Sequence, residues 1–214
     1  MAGDQDTRER LLDAAGPVFA EHGFQHATVR EICGQAEVNV ASVNYHFGDK
    51  ETLYQETVRR ARMERSRQFP FPEWQSDVAP ASKLAGFVHT ILSRMLSPSS
   101  PWQSRLMMRE VFEPSDLCRD LVNEFFRPDF ELLMNIVREL VPGKPAEYQI
   151  RQLAFGIIGQ CLVYRAAGPI IRRMTPEEEM SSHYSIDQLA EWITCCSLTM
   201  CEQFREPCRV PASP

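Results

Sequence analysis

The stretch that decides the fold runs over residues 28–50 and reads TVREICGQAEVNVASVNYHFGDK. Thr28, followed three residues later by Glu31, forms a capping box that predicts the start of a short helix. Asn39 is a good N-cap for a second short helix that reaches about Tyr45. Two short helices joined by a tight turn predict a helix-turn-helix arrangement.

The segments on either side of this stretch also predict helices. Apolar residues recur at helical spacing over residues 7–22, and Gly23 is a natural C-terminal stop. Asp49 caps a longer helix over residues 50–67. Beyond a Pro-rich linker at residues 69–72, helices are predicted at about 80–97, 102–113, 115–126, 128–141, 146–167 and 186–205. Pro169 and Pro176 predict a loop between the last two of these helices. No strand-like alternation of convincing length is present, so the fold class is all-α.

The second short helix of a helix-turn-helix enters the major groove of DNA, so its exposed residues are the first candidates for base contacts. Amide and hydroxyl groups suit base edges, whereas Val40, Val43 and Phe47 are expected to face the core. Arg8 is a further candidate for the DNA backbone. The candidate DNA contacts are Thr28, Arg30, Asn39, Ser42, Asn44, Tyr45, His46 and Lys50. The same pattern also fits a short solvated helix, and spacing alone leaves both interpretations open.

The two long helices near the C-terminus are apolar on more than one face. Helices of this kind bury one face in their own domain and the other against a partner. Pairing both helices with their symmetry mates predicts an isologous four-helix interface between two copies of the chain. The candidate interface residues are Ile158, Leu162, Trp192, Cys196 and Met200. A large monomeric core is the alternative interpretation.

The central helices carry large, adaptable apolar residues of the kind that line a ligand cavity. Arg105 and Arg109 are four residues apart, so one helix face is expected to present two guanidinium groups to an anionic ligand. The candidate pocket residues are His89, Trp102, Arg105, Met108, Arg109, Phe112, Phe130, Met134 and Phe155. Met and Phe at helical spacing also fit an ordinary core, and Arg109 also fits an ion pair with Glu113 one turn away.

Composition excludes several classes of protein. The 214 residues are 43% hydrophobic and 24% charged, which excludes collagen-like, low-complexity and disordered chains. No apolar run approaches the ~20 residues of a membrane span, and residues 1–10 lack the apolar core of an export signal. The net charge of -6 means that any DNA contact comes from a small, well-placed set of groups.

The seven cysteines do not form a recognisable metal or disulfide framework. They are Cys33, Cys118, Cys161, Cys195, Cys196, Cys201 and Cys208. An odd number of cysteines without a C-x-x-C pair indicates buried structural thiols in a reducing cytoplasm. No enzyme motif is present, so we expect neither a metal, nor a cofactor, nor catalytic activity.

Three motifs carry a family resemblance. They are FAEHGF at residues 19–24, ATVREI at residues 27–32 and NYHFGDKETLY at residues 44–54. Over residues 7–54 the chain resembles the DNA-binding domain of TetR-type transcriptional regulators. VNVASVNYHF, at residues 38–47, is similar to the recognition helix of the CecR-like branch of that family. A shorter match, LMMRE at residues 106–110 followed by Pro114 and Ser115, is similar to the C-terminal domain of that branch.

The resemblance implies a homodimer that binds an operator in double-stranded DNA and responds to a small-molecule effector. Residues 1–50 would be the helix-turn-helix DNA-binding domain, and residues 51–206 the helical ligand-binding and dimerisation domain. Residues 207–214 are expected to be a flexible tail. By this interpretation the protein is a cytoplasmic transcriptional regulator, a repressor, that leaves its palindromic operator when the effector binds.

Two departures from the family pattern have physical consequences. The usual turn glycine is Glu37, and a positive φ there would cost about 1–2 kcal/mol. Pro17 lies inside the first helix, where it removes a backbone hydrogen bond and predicts a local kink.

The alternative function is a helical interaction module, or a redox- or metal-sensing module, that has lost sequence-specific DNA binding.

Overall fold

The computed structural model describes residues 2–98, 101–112 and 122–204, which form eleven α-helices, one π-helical turn and no strand. This confirms the predicted all-α class. The elements are α1 (Ala2–His26), α2 (Val29–Ala36), α3 (Ala41–Phe47), α4 (Lys50–Gln68), α5 (Pro80–Leu96), α6 (Pro101–Phe112), the π-helical turn (Val122–Phe126), α7 (Arg127–Leu140), α8 (Glu147–Ala166), α9 (Gly168–Met174), α10 (Glu177–His183) and α11 (Ile186–Gln203).

Two short helices occupy the segment between the last two long helices, where the prolines had predicted a loop. That prediction is wrong because both prolines lie at helix starts. Pro169 is in the first turn of α9 and Pro176 is the N-cap of α10. Proline is tolerated there because the missing N–H group has no partner inside the helix. Most of the helix predicted at about 115–126 lies outside the described residues.

Helix α1 is longer than predicted and is interrupted at the predicted stop. Gly23 has φ 70° and ψ 175°, so the backbone leaves the helical conformation there before a last turn that ends at His26. Pro17 lies within the helix, and its ring faces solvent, while the neighbouring Val18 and Phe19 are buried. The apolar face is therefore kept through the proline, as predicted.

The chain divides into two compact units, and the first contains Met1–Pro70 and Ser97–Arg127. Its core is built by α1, α2, α3, α4 and α6, with Leu11, Phe19, Ile32, Leu53 and Leu106 fully buried. Burying each of these side chains contributes roughly 1.5–3 kcal/mol. The predicted domain boundaries at residues 50 and 206 stay predictions, and the predicted tail lies outside the described residues.

Ion pairs join α1 to α4 at the surface of the first unit. The guanidinium of Arg60 lies 2.9 Å from Glu9, 2.7 Å from Asp13 and 2.9 Å from Glu64. Because one cation is shared by carboxylates from two helices, this network fixes the register of α4 against α1 more firmly than a single exposed pair does.

The second unit contains Phe71–Leu96 and Pro128–Pro214. Its core is formed by α5, α7, α8 and α11, and its buried residues include Leu84, Phe87, Leu133, Ile157 and Ile193. At the start of the unit the Phe71 ring stacks on the Phe87 ring, with 5.0 Å between centroids. The guanidinium of Arg94 lies 4.3 Å from the Phe71 ring centroid and 2.9 Å from Asp129. The Pro-rich linker thus ends in a fixed aromatic contact.

Among the described residues, no single helix has the length and apolar character needed to cross a membrane. Only α8 and α9 taken together meet those two criteria, as a pair bent by 73°.

Candidate functional site

Helix α3 has one face in the core of the first unit and one face in solvent. Val43 and Phe47 are 1% and 6% exposed, whereas Tyr45, between them, is 75% exposed. The buried pair are four residues apart and therefore share one side of the helix. This anchoring holds the polar side of α3 outward, which confirms the predicted faces at these positions.

Val40 is an exception to that prediction, because it is 49% exposed instead of facing the core. It precedes the first residue of α3, and its position is the N-cap of the helix. Side chains at the start of a helix tilt toward its N-terminus, which carries Val40 past the edge of the core.

The predicted DNA contacts form two groups by exposure. Ser42, His46 and Lys50 are half-buried. Thr28, Arg30, Asn39, Asn44 and Tyr45 are exposed. Tyr45 and His46 touch edge to face, with 4.9 Å between ring centroids. The exposed set combines a hydroxyl, a guanidinium, two amides and a phenol, which are groups that bind phosphates and base edges.

Two of these candidates also cap the helices that carry the site. Oγ1 of Thr28 accepts a hydrogen bond of 3.1 Å from the N–H of Glu31, and Oδ1 of Asn39 accepts one of 2.9 Å from the N–H of Ala41. Thr28 is the N-cap of α2, as predicted, whereas the N-cap position of α3 is Val40 and Asn39 caps the helix from one residue earlier. The other half of the predicted capping box differs, because the carboxylate of Glu31 lies 3.3 Å from Nε2 of His22.

Asp49 caps α4 as predicted, with Oδ1 accepting a 2.7 Å hydrogen bond from the N–H of Thr52. This hydrogen bond to the backbone of Thr52 holds the pKa of the Asp49 carboxyl below its ordinary value of 3.8. The carboxylate therefore stays charged where the dipole of α4 favours a negative group.

Lys50 lies against the last turn of α1. Its Nζ is 3.5 Å from the carbonyl oxygen of Gln25 and 4.7 Å from the centroid of the Phe24 ring. Partial burial lowers the pKa of the Lys50 ammonium. The group remains at the edge of the polar surface, where it links the end of α1 to the start of α4.

The turn between α2 and α3 has an unusual backbone, as the sequence suggested. Glu37 has φ 53° and ψ 44°, the left-handed conformation, and no other residue except glycine has a positive φ among the described ones. Arg10 of α1 supports this turn, since its guanidinium donates to the carbonyl oxygens of Ala36 at 2.6 Å and Glu37 at 3.3 Å. Sequence reasoning missed Arg10, because nothing in a periodic helix indicates a contact 26 residues away.

Arg8, a further predicted contact to the DNA backbone, has contacts within the first unit. Its guanidinium donates to the carboxylate of Glu56 on α4 and lies 5.2 Å from the ring centroid of Phe47 on α3. The charge is thereby engaged within the first unit, and it braces the end of α3. Here the pair with Glu56 could not be foreseen from the local pattern.

The predicted pocket residues fall in both compact units. Those of α6 belong to the first unit, where Trp102 packs so closely on α1 that a Cβ on Gly16 would lie 2.5 Å from its ring. The Arg109 guanidinium packs against Gly23 in the same way. Arg105 and Phe112 are exposed, and Met108 is half-buried. The two arginines thus differ in their surroundings.

The remaining predicted pocket residues belong to the second unit. The rings of Phe130 on α7 and Phe155 on α8 lie 4.5 Å apart, with Phe155 59% exposed. Met134 is buried in the core of this unit. His89 is exposed, and its Nε2 lies 3.0 Å from the carboxylate of Asp187 on α11. The ligand-pocket assignment of all nine residues stays a prediction.

A buried polar contact that the sequence did not suggest joins α4 to α6. The hydroxyl of Tyr54 donates to Oε1 of Glu110, and both residues are buried. Close by in the chain, Nε2 of Gln103 donates to Glu64 at 3.0 Å. These pairs connect α4, which directly follows α3, with α6, and no local pattern predicts contacts between residues 56 and 39 positions apart.

The predicted interface residues lie on the parts of α8 and α11 that their own unit leaves uncovered. Trp192 is 63% exposed, Met200 is also exposed, and Ile158, Leu162 and Cys196 are half-buried. A Cβ added at Gly156 or Gly159 would meet nothing within 4 Å. An open, apolar helix surface of this kind favours contact with another protein surface.

The cysteine thiols differ in reactivity by burial. Burial raises the pKa of Cys161 to about 12 and that of Cys201 to about 11, while Cys195 is exposed. A raised pKa suppresses the reactive thiolate at neutral pH. Cys118 and Cys208 lie outside the described residues. Within 2–98, 101–112 and 122–204 no three His, Cys, Asp or Glu side chains are grouped so as to hold a metal ion.

Two family models match the chain. Residues 11–57 match the model of bacterial regulatory proteins of the tetR family. Residues 80–200, more than half of the chain, match the C-terminal domain of the HTH-type transcriptional dual regulator CecR.

Curated relatives match the N-terminal region. The chain is 42% identical over 55 residues to the HTH-type transcriptional repressor AcnR of Corynebacterium glutamicum, covering 25% of this chain and 29% of that protein. It is 44% identical over 54 residues to the dual regulator CecR of Shigella flexneri, covering 25% and 23%. The matched region therefore spans about a quarter of the length of each relative.

A solved structure shows the same fold over most of the chain. The crystal structure of AibR in complex with isovaleryl coenzyme A and operator DNA superposes with a TM-score of 0.63 at 13% identity, covering 89% of this chain and 97% of AibR. The helix-turn-helix geometry, the two family models and this shared fold agree. The chain belongs to the TetR family of bacterial DNA-binding regulatory proteins, in the branch that carries the C-terminal domain of CecR.

Proposed function

We propose that the protein is a ligand-responsive transcriptional repressor that binds a palindromic operator as a homodimer. The observation that carries this proposal is the exposed polar side of α3, held outward by the burial of Val43 and Phe47. A short helix anchored by two apolar residues and braced by Arg8 and Arg10 is rigid enough to present side chains to a groove.

In this proposal α3 lies in the major groove and α2 crosses the DNA backbone. Ser42, Asn44 and Tyr45 contact base edges and the adjacent phosphates. Thr28 and Arg30, at the start of α2, bind phosphates on the other side of the groove, where the helix N-terminus also favours anions. The net charge of -6 is compatible with this because few cations are required at a surface that fits one groove.

The proposed dimer forms through α8 and α11. Val163 on α8, and Trp192 and Met200 on α11, are large apolar side chains exposed on the described surface. Two copies related by a two-fold axis would bury these side chains in an isologous four-helix interface. The same axis would place two copies of α3 on two half-sites of one palindrome.

In the proposed regulation, the distance between the two copies of α3 in the dimer changes between one value that fits the operator and one that does not. An effector can cause this shift only if it binds one spacing better than the other. That AibR has been crystallised with both isovaleryl coenzyme A and operator DNA supports a pairing of effector and DNA sites in this fold. We propose the predicted pocket residues within each unit as candidates for the effector site, and AcnR, named a repressor, supports repression.

A selection of random duplex DNA on the purified full-length protein, at low and moderate salt, tests the proposal. We expect enrichment of a palindrome and loss of that enrichment in Tyr45→Ala. The matched control is Tyr148→Ala, because Tyr148 is also exposed, at 56%, but lies on α8. If the wild type enriches no sequence at low salt, even after refolding to strip a bound effector, the protein does not bind DNA specifically and the proposal fails.

A further inference from the structure

The segment from α9 to α10 carries an exposed apolar pair that its own unit does not cover. Ile170 is 60% exposed and Met174 is 79% exposed, four residues further along the same helix. Residues four apart share one side of a helix, so the two side chains form a single apolar strip. Ile171, between them, is half-buried and turned toward the protein.

Exposed charges of both signs belong to the same segment of the chain. Arg172 and Arg173 are exposed at the end of α9, and no carboxylate of the described residues lies within 4.0 Å of either guanidinium. Glu177, Glu178 and Glu179 form the first turn of α10 and are also exposed. A basic pair and an acidic triplet therefore follow each other along the chain, and none of these five charges is in an ion pair within the described residues.

The segment has a defined conformation, and both of its ends are attached. Helix α9 follows α8 directly, and the N–H of Ala167 donates to the carbonyl oxygen of Val163 at 2.8 Å. At the other end, the amide of Gln188 on α11 donates to the carbonyl oxygen of Ser182. Tyr164 and Tyr184 bring their rings to 6.4 Å across the base of the segment.

We propose that the α9–α10 segment binds the same segment of a second copy of the chain. In a two-fold arrangement the basic pair of each copy contacts the acidic triplet of the other copy, so the charge contact occurs twice. The two apolar strips then pack against each other. A segment that is basic and then acidic is complementary in charge to a second copy of itself. A partner surface of one charge sign would match only half of it. The proposal rests on the homodimer proposed above, and it extends that dimer beyond α8 and α11.

Charge exchange in the full-length protein tests this proposal by sedimentation equilibrium over a range of concentrations. The all-acidic variant is Arg172→Glu with Arg173→Glu, and the all-basic variant is Glu177→Lys with Glu178→Lys and Glu179→Lys. We expect each variant alone to dissociate with a Kd at least about tenfold above the wild type, because like charges then face each other. An equimolar mixture of the two should associate about as tightly as the wild type.

The control is Arg67→Glu, since Arg67 is an exposed arginine of α4 in the first unit, and its Kd should stay at the wild-type value. A second pair of variants, Ile170→Ser with Met174→Ser and the control Met63→Ser, tests the apolar strip in the same way.

The outcomes separate this proposal from the homodimer on which it rests. A monomeric wild type overturns both. A dimeric wild type whose charge variants keep the same Kd overturns the role of the α9–α10 segment alone, and so does a mixture that associates no better than its components.

Discussion

The hydroxyl of Tyr54 on α4 donates a hydrogen bond to the carboxylate of Glu110 on α6, and the two side chains are 1% and 4% exposed. A carboxylate is rarely buried to this degree without hydrogen-bond donors. Because α4 directly follows the polar surface of α3, this contact ties the helix behind the candidate DNA site to the helix that carries most of the predicted pocket residues.

Removing the Tyr54 hydroxyl is therefore expected to destabilise the protein. Tyr54→Phe keeps the ring contacts with Phe19 and Phe24 but withdraws one donor from a buried carboxylate. The free energy of unfolding should fall by about 1–3 kcal/mol in urea denaturation. Tyr148→Phe, at an exposed position, should change it by less than about 0.5 kcal/mol. Equal effects in the two variants would show that the buried hydrogen bond contributes nothing.

The left-handed backbone at Glu37 predicts that glycine at this position stabilises the protein. Glu37→Gly should raise the free energy of unfolding by roughly 1 kcal/mol, because glycine adopts the left-handed conformation without the Cβ clash. The hydrogen bonds from Arg10 survive, since they go to backbone carbonyl oxygens, and only its exposed ion pair with the Glu37 carboxylate, at 3.6 Å, is lost. Glu37→Ala removes the same carboxylate and keeps the clash, so it should not stabilise. Equal stabilisation by alanine would assign the effect to the charge of Glu37.

Two helical glycines predict opposite outcomes for the same substitution. Gly34→Ala should stabilise by up to about 1 kcal/mol, because glycine is a poor helix former and nothing lies within 4 Å of the new Cβ. Gly16→Ala should destabilise by about 1–3 kcal/mol, since its Cβ would lie 2.5 Å from the Trp102 ring. Thermal denaturation of both variants measures the contrast. A stable Gly16→Ala protein would mean that the contact between α1 and Trp102 is absent in solution.

Arg30 is expected to contribute to DNA binding through a phosphate and not through a base. Arg30→Ala should weaken binding to the selected operator and to unrelated duplexes alike, and reduce the slope of log K against log salt by about 0.9. Fluorescence anisotropy over a salt series measures both quantities. Arg67→Ala should leave the slope unchanged. If Arg30→Ala altered the selected sequence with no change of slope, Arg30 would contact a base instead.

The lowered pKa of Asp49 predicts a pH dependence of stability. A carboxyl whose pKa is lower in the folded state stabilises the fold above its unfolded pKa of 3.8, and this contribution disappears as the pH falls through the folded pKa. Asn caps helices as well as Asp but does not titrate in this range. The difference in stability between wild type and Asp49→Asn should be constant above about pH 5 and shift in favour of the variant at lower pH.

Thermal unfolding at a series of pH values measures that difference. Asp49→Ala serves as the control, because it lacks the cap at every pH and should be the least stable of the three at neutral pH. Parallel pH profiles for wild type and Asp49→Asn would contradict the role assigned to the Asp49 carboxylate.

Local signals predicted the architecture of the candidate DNA site. The capping hydrogen bonds of Thr28, Asn39 and Asp49 could be predicted because such a bond reaches only two or three residues along the chain. The burial of Val43 and Phe47 follows from helical spacing. Val40 was wrongly predicted to be buried by the same spacing. Helical spacing indicates which face of the helix a residue lies on, but not how far along the helix the core extends.

Contacts between distant segments could not be predicted in this way. Arg8 looked like a surface cation available to DNA, but the structure pairs it with Glu56, 48 residues away. Trp102 and Arg109 have the size and polarity of pocket residues, and periodicity cannot tell a cavity wall from the surface of a neighbouring helix. The structure packs both against glycines of α1, where small residues leave room for them.

The bracing of α3 by Arg8 has a consequence for engineering this protein. The recognition helix is oriented in part by a guanidinium from α1 that lies on the Phe47 ring and by Glu56 of α4, which binds the same guanidinium. A chimaera that receives only residues 28–50 from a relative would thus inherit new base-contacting side chains on a foreign support. Exchange of operator preference should succeed more often when the residues at positions 8 and 56 are transplanted together with the helix.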